Sequence, residues 1–216
     1  MAVDVKICGL STAETVAAAL DAGADLIGFA FFPKSPRNVS AEKAAELAAL
    51  ARGRARIVAL IVDADDAAIT HINETLSPDL FQAQGSETPA RIAAIGQLTG
   101  KPVIKAIKVS DTSDIAAAQA YANVAGLILY DAKAPETLAG ALPGGNGLAF
   151  DWRHLDAVRH AHPFMLSGGL TPETVAQAIA LTGADIVDVS SGVETSPGEK
   201  SPDLIGRFIR AAKSGM

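Results

Sequence analysis

Thr182-Gly183-Ala184-Asp185-Ile186-Val187-Asp188-Val189-Ser190-Ser191-Gly192 holds a helix ending, a branched strand and a small-residue turn in one short run. Gly183 suits the left-handed conformation that closes a helix, because it has no Cβ to clash there. Ile186, Val187 and Val189 then favour extended backbone. Asp188 interrupts this apolar strand with a carboxylate, and the strand ends on Ser190, Ser191 and Gly192. Far upstream, Ala22-Gly23-Ala24-Asp25-Leu26-Ile27 repeats the same helix-to-strand turn. A repeated helix-strand unit is therefore expected.

Eight short apolar segments can be marked, at residues 3–8, 25–31, 56–62, 79–83, 103–108, 125–131, 163–167 and 185–190. Between most of them run stretches of helical period rich in Ala, Leu and Glu, as at 12–22, 41–52 and 174–181. Strand then helix, repeated, means a parallel sheet covered by helices. Eight units favour closure over an open sheet, so the expected fold is α/β, a single (β/α)₈ TIM barrel of the phosphate-binding type. Residues 1–216 are expected to form one catalytic domain. Helix starts are expected at a capping box of Ser11 with Glu14, at Thr88-Pro89 and Thr171-Pro172, and at Ser40 and Ser201.

At 216 residues the chain is shorter than the ~250 usual for such a barrel, which predicts short loops. The exception is 132–162, where Pro135, Pro143, Gly144, Gly145 and Gly147 break any period. A long loop is expected there, with a short helix near 135–141 and the sixth main helix from about 152. In a barrel this loop lies over the strand C-termini, where active sites are found. A net charge of −6 without a Lys/Arg run argues against a nucleic-acid surface. No apolar stretch approaches the ~20 residues of a membrane span. The N-terminus shows no signal-peptide pattern and the single cysteine cannot form an internal disulfide, so a cytoplasmic protein, monomer or homodimer, is expected.

Strand parity places Val3, Val5 and Ile7 against the helices and turns Lys6 and Cys8 into the barrel. Cys8 ends its strand before Gly9, which puts the thiol at the C-terminal mouth. Lys6, one layer deeper, is expected to pair with an inward carboxylate such as Asp188. Asp131 ends the sixth strand, either needed there for chemistry or capping the next segment. Asp63, after the third strand, reads as a helix cap or a solvated residue.

Ser167-Gly168-Gly169 ends the seventh strand as Ser190-Ser191-Gly192 ends the eighth. Small residues let backbone N–H groups approach an anion closely, and barrels frequently hold phosphate at this corner. Tight turns that use glycine only for its backbone freedom would give the same pattern. After the second strand, Phe31-Phe32-Pro33-Lys34-Ser35-Pro36-Arg37 is stiffened by proline and positively charged. Arg37 can fork onto a carboxylate. The expected ligand is a phosphorylated small molecule that also carries a carboxylate. Another phosphosugar isomerase or epimerase, or a non-catalytic phosphometabolite-binding protein, would share the phosphate corner.

Across its whole length the chain resembles the phosphoribosylanthranilate isomerases of tryptophan biosynthesis. The resemblance is carried by Lys6-Ile7-Cys8-Gly9-Leu10, by Gly28-Phe29-Ala30-Phe31 with Ser35-Pro36-Arg37, and by Gly144-Gly145-Asn146-Gly147 with Phe150-Asp151-Trp152. Leu166-Ser167-Gly168-Gly169-Leu170 and Asp188 through Glu194 with Pro197-Gly198 complete it. It implies that Cys8 is the general base and Asp131 the general acid of an Amadori rearrangement that needs neither metal nor cofactor. It also implies that Arg37 meets the anthranilate carboxylate and that Asp188 holds a ribose-derived hydroxyl or orders the site. Gln82 joins the substrate contacts, and phosphate is held around Gly168, Gly169, Ser190, Ser191 and Gly192. The acid must start protonated and the base deprotonated, so burial is expected to raise Asp131 and Lys6 to help lower the Cys8 thiol. Three positions depart from the family pattern: Gln84 stands in for a histidine, Asn146 for a threonine and Ser201 for an aspartate.

Overall fold

Strand-forming and helix-forming segments alternate as expected in the computed structural model, which describes residues 3–132, 144–145, 150–159 and 162–214. Asn146 and the short helix anticipated near 135–141 lie outside the described residues. The strands are β1 (Asp4–Cys8), β2 (Leu26–Phe31), β3 (Arg56–Ile61), β4 (Leu80–Ala83), β5 (Val103–Val109), β6 (Leu127–Ala132), β7 (Phe164–Leu166) and β8 (Ile186–Val189). Each pairs in parallel with the next, and β8 pairs with β1, closing the barrel. Outside it lie α1 (Ala13–Asp21), α2 (Ala41–Ala48), α3 (Asp66–Leu76), α4 (Pro89–Thr99), α5 (Thr112–Ala117), α6 (Val175–Thr182) and α7 (Pro202–Ser214). A two-stranded antiparallel ribbon, β9 (Glu194–Ser196) with β10 (Glu199–Lys200), follows β8.

Period-two alternation along the strands sorts the side chains into two apolar bodies. Leu26, Val58, Ile104, Ala106, Leu129 and Met165 fill the barrel. A larger cluster that includes Val5, Ile7, Phe29, Phe81, Tyr130 and Phe208 seals the sheet against the helices. Lys6 is wholly buried among the inward residues, and its Nζ donates to Asp188 Oδ1 at 2.8 Å, the partner that parity suggested. At the opposite end, acidic residues leading into even-numbered strands staple the strand before them. Asp25 Oδ2 accepts from Val5 N at 2.9 Å, Asp79 Oδ2 from Ile57 N at 2.7 Å and Asp185 Oδ2 from Phe164 N at 3.3 Å. Gly23 and Gly183 take the left-handed conformation the repeated turn requires, with φ of 91° and 67°.

Three local expectations are corrected and one is decided between its alternatives. The cap of α1 is Thr12, whose Oγ1 accepts from Thr15 N three residues on, so the helix begins one residue later than a Ser11 cap would place it. Of the two readings of Asp63 the solvated one holds: it is exposed and left-handed (φ 46°), accepts from Ser86 N at 2.7 Å, and leaves the cap of α3 to Asp65. Thr171 and Thr174 hydrogen-bond in a turn of their own, which delays α6 to Val175. The segment from 152 forms a 3-10 turn, Trp152–Ala157, because Asp151 accepts from Arg153 N and its carbonyl from His154 N, favouring the tighter winding. The caps at Ser40, Thr88 and Ser201 stand as expected. Among the described residues no helix is long and apolar enough to cross a membrane.

Candidate active site

The C-terminal ends of the strands surround a cavity. Its lining brings together Cys8, Arg37, Gln82, Asp131, Asp188, Gly168, Gly169, Ser190, Ser191 and Gly192, all ten of the residues named from the sequence for catalysis or substrate binding. They come from β1, β4, β6 and β8 and from the turns after β2, β7 and β8, which only barrel closure makes neighbours. Gly144 and Gly145, from the stretch after β6, also line it.

Asp131 is buried, and burial together with the nearby charge of Asp188 raises its carboxyl from 3.8 to about 7. It is thus a carboxyl able to hold a proton near neutrality. Cys8 is buried as well, and burial pushes its thiol above the usual value. Lys6 does act in the expected direction, favouring the thiolate, but desolvation outweighs it. Burial opposes the charge on Lys6 itself, yet Asp188 and Cys8 more than offset that and hold its ammonium above the ordinary range. Gly28 makes room for this arrangement: a Cβ there would lie 3.0 Å from Cys8 Sγ and 3.2 Å from Lys6 Nζ. Ser167 Oγ donates to Asp188 Oδ2 at 3.3 Å, leaving Asp188 held from both sides.

Arg37 is buried rather than displayed on an exposed loop. Gly9 allows this, since a Cβ on it would stand 2.7 Å from Arg37 Cδ. The guanidinium forks onto a carboxylate, as its chemistry suggested, but onto that of Glu194: Nε to Oε1 at 2.7 Å and Nη2 to Oε2 at 2.8 Å. Lys200 Nζ reaches the same Glu194 Oε1 and also donates to Ser190 O at 3.0 Å and Ser190 Oγ at 3.1 Å. Burial works against the Glu194 charge, but the two cations prevail and take its carboxyl down to about 2. Two cations on one carboxylate leave a net positive charge beside the phosphate corner.

At that corner glycine is obligatory for space as well as for conformation. Gly168 and Gly169 have φ of 90° and 65°, and a Cβ on Gly168 would stand 2.5 Å from Ala132 N. A Cβ on Gly192 would meet Leu170 O at 1.8 Å. The backbone N–H groups of Gly169, Ser191 and Gly192 make no backbone hydrogen bond among the described residues. Unpaired N–H groups at two adjacent turns, next to a net positive triad, suit an anion. Among the described residues no group of three or more His, Cys, Asp or Glu side chains is arranged to hold a metal ion.

A family model described as N-(5′-phosphoribosyl)anthranilate (PRA) isomerase matches residues 5–211. The chain belongs to the phosphoribosylanthranilate isomerase family. It is 52% identical over 213 residues to the N-(5′-phosphoribosyl)anthranilate isomerase of Parvibaculum lavamentivorans, covering 99% of both chains. Against that of Azorhizobium caulinodans the identity is 53% over 215 residues, covering 99% of this chain and 93% of the relative. Phosphoribosyl anthranilate isomerase from Thermotoga maritima superposes with a TM-score of 0.87 at 35% identity, covering 98% of this chain and 99% of that one. A phosphoribosyl anthranilate isomerase solved with reduced 1-(o-carboxyphenylamino)-1-deoxyribulose 5-phosphate gives 0.85 at 33% identity, with the same coverage.

Within this phosphoribosylanthranilate isomerase fold, sequence reading missed the roles of Glu194 and Lys200. Both stand in or beside the run that carried the family resemblance, but a buried glutamate shared by two cations leaves no periodic signal. It also left open what Gln84 does; its Nε2 donates to Asp131 Oδ2 at 2.8 Å.

Proposed function

We propose that this protein converts N-(5′-phosphoribosyl)anthranilate into 1-(2-carboxyphenylamino)-1-deoxyribulose 5-phosphate, an Amadori rearrangement in tryptophan biosynthesis. The observation that carries the reading is a carboxyl raised to about 7, Asp131, lining one cavity with Cys8 and with the glycine-serine corner. Such a pair supplies an acid and a base to the same small molecule.

The phosphate sits against the N–H groups of Gly169, Ser191 and Gly192 with Ser190, in the positive field of Arg37 and Lys200. Asp131 gives its proton to the furanose ring oxygen while the anthranilate nitrogen lone pair closes a C=N bond at C1, opening the ring to a Schiff base. Cys8 as thiolate then removes the proton from C2, and the electron pair left there moves to C1=C2, neutralising the nitrogen as an enolamine. Protonation at C1 and loss of the C2 hydroxyl proton give the ketone. Asp188, fixed by Lys6 and Ser167, faces the same cavity and suits a sugar hydroxyl. Arg37 presents its remaining nitrogen Nη1 to the substrate carboxylate, its Nε and Nη2 being engaged by Glu194.

Steady-state assay on phosphoribosylanthranilate, followed by loss of fluorescence, tests the reading. Turnover that falls by a factor of about 10² to 10⁴ in both Cys8→Ser and Asp131→Asn supports it. Full activity in both variants, or none in the wild type, overturns it.

A further inference from the structure

Gln82 and Gln84 both face inward at the end of β4 and are buried, with exposures of 1% and 4%. Gln82 Nε2 donates to Gln84 Oε1 at 2.8 Å, and Gln84 Nε2 donates in turn to Asp131 Oδ2 at 2.8 Å. The remaining carbonyl oxygen of Gln82, Oε1, is buried and has no hydrogen-bond partner among the described residues, although Gln82 lines the cavity. Leaving a buried acceptor unsatisfied costs roughly 1–3 kcal/mol. A donor on a bound ligand would remove that cost.

The strand end carrying these amides is held firmly. Lys105 Nζ, on the outer face of β5, donates to Gly85 O at 2.7 Å and to Glu87 Oε2 at 2.8 Å. Glu87 Oε1 accepts from Asp63 N at 2.8 Å, and Asp63 Oδ1 accepts from Ser86 N. From above, Gly144 packs so closely that a Cβ on it would stand 2.8 Å from Gln84 Nε2 and 3.2 Å from Asp131 Oδ2.

We infer that Gln82 and Gln84 are positioning residues for the acid, a one-way amide chain that leads from a substrate donor at Gln82 Oε1 to Asp131 and commits the reacting proton to Oδ1. The inference rests on Asp131 being the acid of the proposed reaction. An amide N–H needs a lone pair on Oδ2, so the neutral acid carries its proton on Oδ1. As that proton leaves, the Gln84 bond becomes charge-assisted and strengthens. An interaction that grows as the reaction proceeds favours the transition state over the ground state. Gln84 is neutral at every pH, unlike the histidine of the family pattern. The ionisation of Asp131 is then governed by burial and the charge of Asp188, which oppose it, and by the Ala132 N–H and Lys108, its register partner on β5, which favour it.

The test is a carbon-13 NMR titration of the Asp131 carboxyl in the unliganded protein, together with the pH profile of kcat/KM, for wild type, Gln84→Met and Gln84→His. Gln84→Met is expected to move the Asp131 midpoint and the acid limb of the profile upward together. Its kcat is expected to fall about tenfold with KM within about twofold, since misalignment acts on the chemical step. Gln84→His, which restores a ring N–H donor, recovers most of kcat. A folded Gln84→Met variant with an unmoved Asp131 midpoint overturns the inference. If that variant does not fold, Gln82→Met, which removes the donor to Gln84 Oε1, is expected to give a smaller upward shift, and no shift there overturns it equally. The titration needs no turnover, so its failure is distinct from failure of the reaction itself.

Discussion

Asp131 ionises at about 7 because burial and Asp188 both oppose its charge. The linkage has a definite sign. An unfolded chain releases this proton near 3.8, before the folded one does, so the protein loses stability as pH rises from there to about 7 and no further. Asp131→Asn removes that penalty, roughly 1.4 kcal/mol for every pH unit separating the folded and unfolded midpoints. In urea unfolding the variant is expected to be the more stable by a few kcal/mol at pH 8 and nearly equal to wild type at pH 4. The same ionisation shapes activity. Below about 7 both Asp131 and Cys8 hold protons and there is no base, while above the raised thiol value neither does and there is no acid. A bell-shaped kcat/KM profile is expected, its acid limb near 7 and its alkaline limb above the ordinary thiol range; a profile falling from pH 6 upward would contradict it. The pairing of Lys6 with Asp188 was legible from strand parity alone. That Glu194 occupies the Arg37 fork was not, because parity says which way a side chain points and nothing about what a distant loop brings to it.

Element by element, the β7 and β8 turns carry the tightest constraints. The 1.8 Å approach of a Gly192 Cβ to Leu170 O cannot be relieved by a rotamer change, since both atoms belong to the backbone framework. Gly192→Ala is therefore expected to cost more than ~4 kcal/mol or prevent folding, whereas Gly53→Ala, open but left-handed at φ 77°, is expected to cost only ~1 kcal/mol. Thermal unfolding of the two variants side by side checks this. The two turns were readable because small residues cluster only where backbone must come close. The stretch from Trp152 misled because its composition suits a helix, while the Asp151 side chain competes for the first N–H groups and winds the segment tighter. Strand positions came within two residues throughout, since branched residues and glycine turns bound them on both sides.

At the scale of the whole molecule, closure of the barrel follows from the count of units and is sealed by β8 on β1. What closure adds is the Arg37–Glu194–Lys200 triad, whose members lie on a loop after β2 and on the ribbon after β8. Its side chains are 7%, 4% and 1% exposed. Removing the shared carboxylate with Glu194→Gln leaves two buried cations facing each other, and a loss of ~3–5 kcal/mol is expected in denaturant unfolding. Because Glu194 is ionised down to about 2, wild type keeps this contribution above pH 4.5 and loses it only as pH falls from there towards 2. The triad also bears on how a substrate arrives. A protein with a net charge of −6 repels a metabolite that carries both a phosphate and a carboxylate from most directions, yet the buried triad sets two cations against one anion beside the phosphate corner, within low-dielectric walls. Field lines focus there, so productive collisions are channelled to the mouth of the barrel and slowed by dissolved salt. The molecule's selectivity for anions thus begins in the approach through solvent, before any contact is made.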